Sequence, residues 1–326
     1  MSVAAAFKSL KSSPVLSWKP TGKLQQTVTN CIERTGRGLH SGDISTVRIL
    51  PAEARAGRHF VFRSNVIRAS IDNAVKETPL CTALSSNGYS VRTVEHLLSA
   101  LEACGVDNCR IEIDGSSNCD RSVEVPIFDG SAREWVEAIN QSGLKVAVDF
   151  GGKSCEKLAP YLSEPVHVLK NDSFVAAFPC SKVSITYGID YPQAPAIGRQ
   201  WFSSTLLDES FYSSSIAPSR TFCIYEEVER MRSLGLIKGG SAETAIVCSM
   251  TKGWLNPPLR YDDEPCRHKV LDLIGDVSLL AQEGNQGLLV AHIVAYKGGH
   301  SMHAEFVRRL LGVNQMNGAV SDELAA

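Results

Sequence analysis

The sequence predicts an α+β protein made of two domains of similar plan. Three observations carry that expectation. The order strands, helix, strand, helix runs through the chain twice. A Gly-, Lys-, Ser- and Pro-containing stretch, Phe150–Pro165, separates the two passages and reads as a linker. In each passage one helix carries ionisable residues on the side away from its own apolar stripe, as though a second layer lay there. Each domain is expected to place its helices on one face of a mostly antiparallel sheet. The boundaries are 1–25 for a leader, 26–150 for the first domain and 160–326 for the second.

The leader is set apart by composition. Met1 to Cys31 holds no Asp or Glu, and Lys8, Lys11, Lys19 and Lys23 lie among serines and small apolar residues. Val3–Phe7 is too short for a secretory core, so an organellar transit peptide is expected, mitochondrial ahead of plastid. The first domain then begins with strand-like runs at Gln26–Ile32, Ile44–Leu50 and Arg58–Arg63. A helix is predicted from an N-cap at Thr93 to a stop at Gly105. A strand follows at Asn108–Ile113. The Asp129-Gly130-Ser131 turn caps a second helix, which carries Trp135, Val136 and Ile139 and ends at Gly143.

The second domain repeats that order, with strands at Val166–Leu169, Phe174–Phe178 and Val183–Ile189. It adds extra material between Ile189 and Met250, including a short charged helix at Glu226–Gly235. The helix holding His268, a strand at Leu288–Tyr296 and a last helix from about Ser301 to Leu311 complete it.

Composition narrows the function. The 326 residues are 44% hydrophobic, enough for one large core or two moderate ones. With 33 basic and 35 acidic residues the net charge is -2, which gives no electrostatic footprint for nucleic acid. The cysteines, Cys31, Cys81, Cys104, Cys109, Cys119, Cys155, Cys180, Cys223, Cys248 and Cys266, form no CxxC pair, which suits a reducing compartment. No apolar run reaches the length of a membrane span, so no stable membrane insertion is expected.

The chemistry gathers on the two helices. His268 and Asp272 are four apart, so one helical face holds both, with roughly 5–6 Å between β-carbons. Asp276 continues that stripe. Val270, Leu273, Ile274 and Val277 form the opposite, core-facing side. In the first domain Val94, Leu97, Leu98 and Leu101 face the core, His96 falls opposite, and Glu95 lies on the flank. If the two polar stripes meet, His96, His268 and Asp272 supply two nitrogens and an oxygen. Three protein ligands leave a fourth position for water, the arrangement of a catalytic zinc. Glu95 would then sit where a general base belongs. The same residues also fit ordinary solvated helix faces, and spacing alone does not choose.

Eight further motifs identify a resemblance. They are Thr35-Gly-Arg-Gly-Leu-His40, Cys81-Thr-Ala-Leu84, Thr93-Val-Glu-His-Leu97, Val125-Pro-Ile-Phe-Asp-Gly-Ser-Ala132, Ser219-Arg-Thr-Phe222, Gly239-Gly-Ser241, Arg267-His-Lys-Val-Leu-Asp272 with Ile274-Gly-Asp276, and Ala295-Tyr-Lys-Gly-Gly-His300. In this order they resemble the UDP-3-O-acyl-N-acetylglucosamine deacetylases, the zinc amidases of lipid A synthesis, from about Gln26 to the last helix. The leader goes beyond the bacterial pattern and suggests a eukaryotic, organellar member.

The resemblance implies a fold and roles. The fold is a pair of two-layer β-α-α-β sandwiches with facing helix layers. His96, His268 and Asp272 match the Zn²⁺ ligands, and Glu95 the general base. His300 matches a general acid or charged oxyanion stabiliser, Asp276 its carboxylate partner, and Thr221 the hydroxyl that bonds the tetrahedral intermediate. Lys269 matches a substrate-binding lysine. The segment of about 222–241, with Phe222, Ile224, Met231, Leu234, Leu236 and Ile237, matches a passage for the acyl chain. Gly239 and Gly240 would allow close approach there, and His40 matches a pocket residue.

The implied substrate is an acylated UDP-sugar and the implied state a monomer. Full-strength deacetylation and a catalytically weak zinc- or nucleotide-sugar-binding relative are the two readings carried forward. Acyl length, the leader's cleavage site, the donor of the leaving amine's proton and the physiological end product are not readable. Phe178 shares a family neighbourhood, and His59, His167, His292 and His303 suggest no role.

Overall fold

The structure is a computed structural model and describes residues 10–76, 80–115, 121–204, 208–233, 236–256 and 258–312. Two five-stranded sheets dominate it, and they share one topology. In the first sheet the spatial order is Ile32–Arg37, Ile44–Pro51, Cys109–Gly115, Arg58–Phe62, Asn65–Arg68. In the second it is Val166–Lys170, Ser173–Pro179, Ala291–Tyr296, Ser184–Tyr191, Gly198–Ser204. In both, the strand that comes last in the chain takes the centre. It runs antiparallel to the second strand and parallel to the third. The expected repeat is therefore present, with one parallel pair in each otherwise antiparallel sheet.

Alternation explains which face each sheet buries. Val47, Ile49, Phe60, Phe62, Ile111 and Ile113 turn inward in the first, and Val175, Ala177, Ile185, Tyr187, Ile293 and Ala295 in the second. The described helices are α1 (Glu95–Ala103), α2 (Arg133–Ser142), α3 (Glu209–Ser215), α4 (Tyr225–Ser233), α5 (Glu264–Val277) and α6 (His300–Leu310). In each repeat one helix precedes the central strand (α1, α5) and one follows it (α2, α6). The main contact between the repeats is α1 against α5. Every α1 residue from Glu95 to Glu102 is buried, because one side meets its own domain and the other meets α5.

Gly275 sets how close those helices come. A β-carbon at that position would lie 2.1 Å from the Glu95 carbonyl oxygen, so α5 needs glycine where it crosses the start of α1. Each repeat also carries a small three-stranded sheet. The first is Ala83–Ser86, Tyr89–Arg92 and Ser122–Glu124; the second is Phe222–Ile224, Ile246–Ser249 and Gly253–Trp254.

Several boundaries differ from those expected. The leader assigned to 1–25 contains a strand, Leu16–Leu24, paired antiparallel with Glu156–Leu162. Leu16 and Trp18 alternate inward there, and the Trp18 indole N–H donates to the Lys11 carbonyl. The same pairing takes residues 156–162 out of the linker expected over Phe150–Pro165. The run Gln26–Ile32 splits into Gln26–Val28 and Ile32–Arg37, which join different sheets. Thr93 does not cap α1; it has a left-handed φ of 57°, and its hydroxyl bonds Glu124 instead. The last helix starts at His300, and α4 spans Tyr225–Ser233. No helix among the described residues is long and apolar enough to cross a membrane.

Candidate active site

The α1–α5 crossing brings together groups that the sequence separates by more than 170 positions. His96 and His268 meet edge-on, their ring centroids 5.0 Å apart. Asp272 Oδ1 lies 3.6 Å from His96 Nε2 and 3.4 Å from His268 Nε2. These separations exceed good hydrogen bonds. They match the roughly 3.3 Å between donors that metal bonds of about 2.0–2.1 Å set in a tetrahedron. The ligand atoms of the three residues all fall within 4.8 Å of one another.

Two observations test whether a cation fits. Asp272 Oδ1 is buried with no hydrogen-bond partner among the described residues, a costly state for a carboxylate unless a cation is to occupy the space. His268 Nδ1 faces the Ser219 carbonyl at 3.0 Å. That bond puts the proton on Nδ1 and leaves Nε2 free to ligate, as an outer partner does for a ligating histidine. Burial pushes the His268 imidazole down to about 4 against the pull of Asp272, so the ring is neutral. Burial also opposes the charge of Asp272, but Lys269, His268 and His300 hold its carboxyl well below the usual range. The donor set therefore fits zinc.

Glu95 begins α1 beside His96. Its Oε2 accepts the Thr82 amide at 2.9 Å. Burial raises its pKa, with His300 and His96 acting in the opposite sense. His300 Nδ1 lies 2.9 Å from Asp276 Oδ2. Burial disfavours the imidazolium, but Asp276 and Asp272 outweigh it and lift the group to about 9. Asp276 is held at about 2, because His300 and His303 overcome its desolvation.

The remaining expected residues divide into those that face the cavity and those that do not. A cavity of about 490 Å³ opens from the zinc-competent triad and is lined by Glu95, Thr221, Phe222, Lys269, His300 and His40, among others. Ile224, Met231 and Ile237 give it apolar wall, beside the charged Glu227, Glu229 and Arg232. Leu236 is exposed instead, and Leu234 lies outside the described residues. Lys269 Nζ bonds Asp272 Oδ2 at 2.7 Å, so in this structure its partner is the carboxylate of the triad. Gly240 lines the cavity, whereas Gly239 packs on the turn of the first domain. A β-carbon on Gly239 would lie 2.0 Å from the Gly38 carbonyl oxygen, and its N–H donates to the Leu39 carbonyl. That contact seats Lys238 and Gly239 against the first domain beside the cavity. His40 lines the wall with both ring nitrogens buried and unpartnered among the described residues. Phe178 is exposed on the second sheet, away from the lining.

Sequence reasoning missed three supports. Thr82 links the base to the proton-holding pair: its amide bonds Glu95, and its hydroxyl donates to Asp276 Oδ1 at 2.5 Å. His303 Nδ1 lies 2.7 Å from Asp276 Oδ2, and its Nε2 meets the Tyr187 hydroxyl at 3.1 Å. Glu124, buried in the first domain, accepts the His40 and Ser41 amides and the Thr93 hydroxyl. Thr82 stands inside the Cys81–Leu84 motif and His303 three residues after His300 on one helical face, but neither spacing names the partner each one bonds.

Comparison with known proteins finds relatives along most of the chain. Residues 25–312 match the family model described as LpxC, UDP-3-O-acyl N-acetylglycosamine deacetylase. A protein of Arabidopsis thaliana named "Probable UDP-3-O-acyl-N-acetylglucosamine deacetylase 1, mitochondrial" is 59% identical over 304 residues, covering 93% of each chain. A Trichormus variabilis protein named UDP-3-O-acyl-N-acetylglucosamine deacetylase is 46% identical over 297 residues, 89% of this chain and 99% of its own. One of the same name from Thermosynechococcus vestitus is 44% identical over 290 residues.

Proposed function

The chain belongs to the UDP-3-O-acyl-N-acetylglucosamine deacetylase family, and from that premise we propose that it hydrolyses the N-acetyl group of a UDP-3-O-acyl-N-acetylglucosamine. The products are acetate and the free amine, in the committed step of lipid A-type synthesis. The observation that carries the reading is the meeting of Glu95, His96, His268 and Asp272 across α1 and α5, with a buried carboxylate oxygen unpartnered among the described residues. His96, His268 and Asp272 would hold one Zn²⁺. When bound, the ion supplies Lewis acidity to the amide carbonyl and to water.

The chain's own groups do the rest. Glu95 takes the proton from water as it attacks the acetyl carbon. A carboxylate whose pKa is raised by burial is suited to accept that proton and hold it. Charge then grows on the carbonyl oxygen. The Thr221 hydroxyl and the His300 imidazolium stand in the same cavity to stabilise it. Asp276 keeps His300 charged. Two groups then hold a proton, Glu95 and His300, and rate–pH profiles of their single variants identify which passes it to the leaving amine. The apolar wall residues Ile224, Met231 and Ile237 suit the acyl chain, and Lys269 and His40 suit polar parts of the substrate. The plant relative's name supports a mitochondrial location for this chain.

The test is metal analysis joined to turnover on the acetylated UDP-sugar. One zinc per chain and amine release support the reading. Zinc without turnover would instead identify a binding relative, and full activity in both Glu95→Ala and His300→Ala would overturn the assigned chemistry. Imaging a fluorescent fusion tests the location; a signal outside mitochondria counts against it.

A further inference from the structure

Five consecutive residues, Ala217–Thr221, connect α3 to the strand Phe222–Ile224, and each is held through its backbone. The Ala217 carbonyl accepts the Ala132 N–H at 2.9 Å. The Pro218 carbonyl accepts Arg260 Nη1 at 2.6 Å. The Ser219 carbonyl faces His268 Nδ1 at 3.0 Å. The Arg220 N–H donates to Glu264 Oε1 at 3.0 Å. The Thr221 N–H donates to the Gly130 carbonyl at 2.7 Å. This segment thus has two outputs into the site, the Thr221 side chain and the orientation of the His268 ring.

Two of its five anchors, Ala132 and Gly130, come from the opposite repeat. The turn that presents them is organised by Asp129. Asp129 Oδ1 accepts the Ser131 amide at 3.0 Å and the Ser131 hydroxyl at 2.6 Å, which fixes the turn. Asp129 Oδ2 accepts Arg260 Nη2 at 2.8 Å. Arg260 therefore bridges the Asp129 carboxylate and the Pro218 carbonyl, while its own amide is held by Glu264 Oε2 at 2.6 Å. Gly130 has a φ of 86°, and a β-carbon there would lie 2.3 Å from the Thr244 carbonyl oxygen. The turn thus seats against the second repeat with no room for a side chain.

We propose that Asp129 is a positioning residue: through Arg260, and through the turn that presents the Gly130 carbonyl, it fixes Ala217–Thr221 from the opposite repeat and aims Thr221 and His268 together. A carboxylate that accepts from a guanidinium and from its own turn makes strong, directional bonds, and an error in backbone placement reaches both outputs at once. The inference rests on the deacetylase reading for the role of Thr221, but its effect on the metal site does not depend on turnover.

The experiment compares Asp129→Ala in wild-type and Thr221→Val backgrounds. It measures kcat and KM at saturating zinc, zinc affinity by chelator competition, and thermal unfolding. Asp129→Ala is expected to lower kcat roughly tenfold or more with KM within about twofold, and to weaken zinc binding several-fold. In the Thr221→Val background the same change should lower kcat by less than about threefold, because coupled residues are not additive. Equal losses in both backgrounds overturn the proposal, and so does unchanged zinc affinity. A brace that serves stability alone would lower the unfolding midpoint and leave kcat and zinc affinity in place. Absence of turnover in the wild type would reject the deacetylase reading, and zinc affinity would then decide the positioning claim by itself. If Asp129→Ala does not fold, Arg260→Lys carries the same comparison.

Discussion

Two clusters of carboxylate and imidazole stand side by side at the contact of the repeats, and they differ in one respect. His96, His268 and Asp272 form one; Asp276, His300 and His303 form the other. Each gathers its ligand atoms within 4.8 Å. In the second cluster Asp276 is saturated by Thr82, His300 and His303, and Tyr187 completes His303. In the first, Asp272 Oδ1 has no hydrogen-bond partner among the described residues. The first set keeps a carboxylate lone pair free, as a cation site would, while the second is already tied together by hydrogen bonds. Similar side chains thus take different chemistry according to which hydrogen bonds are already made.

The largest expected effect breaks the first cluster. Asp272→Ala should remove bound zinc and lower turnover by more than about a thousandfold, since the ligand set and the activated water go together; metal analysis with an initial-rate assay checks it. Glu95→Gln tests the same face without touching a donor. Turnover should fall about 10²–10⁴-fold with zinc content unchanged, and loss of zinc in that variant would mean that Glu95 is a ligand.

Gly275→Ala sharpens the comparison by moving α1 against α5. The added methyl meets the Glu95 carbonyl, so stability should fall by an overpacking cost of about 1–3 kcal/mol, seen as a lower thermal midpoint, and zinc should bind more weakly. A normal midpoint and normal zinc affinity would show that the crossing is slack.

Disturbing the second cluster should leave the metal in place. Asp276→Asn is expected to retain zinc, lower kcat roughly 10–100-fold, and bring the His300 titration down from about 9, as followed by ring-proton NMR of the metal-free protein. The smallest effect is on stability of that metal-free form. A histidine whose folded pKa is raised contributes fully below its unfolded value of about 6.5, and the contribution is lost as pH rises through about 9. The thermal midpoint should therefore fall between those limits, and Asp276→Asn should flatten the slope.

Helical phase made the first cluster legible from the sequence. His268 and Asp272 point away from Val270, Leu273 and Ile274, and His96 points away from Leu97 and Leu98, so a facing layer could be inferred. The supports were not legible. Thr82 reaches Asp276 across 194 positions and Arg260 reaches Asp129 across 131, and no local spacing encodes such bonds. The strand Leu16–Leu24 was hidden for another reason. Its lysines and lack of acids resembled a targeting segment, although Leu16 and Trp18 already alternated with Ser17 and Lys19. The Thr93 cap failed because Glu124, from a distant strand, offered its hydroxyl a buried acceptor.

The strand Leu16–Leu24 ties the N-terminal part of the described chain to both repeats. Leu16–Leu24 closes on Glu156–Leu162, the chain that joins the two repeats, and Lys11 reaches Asp72 in one repeat and Gln282 near the other. A processing protease that cut after Leu24 would strip Leu16 and Trp18 from the core and leave the edge of Glu156–Leu162 open to another chain. Leu16–Leu24 therefore belongs to the folded body, and its loss would expose core where the two repeats join.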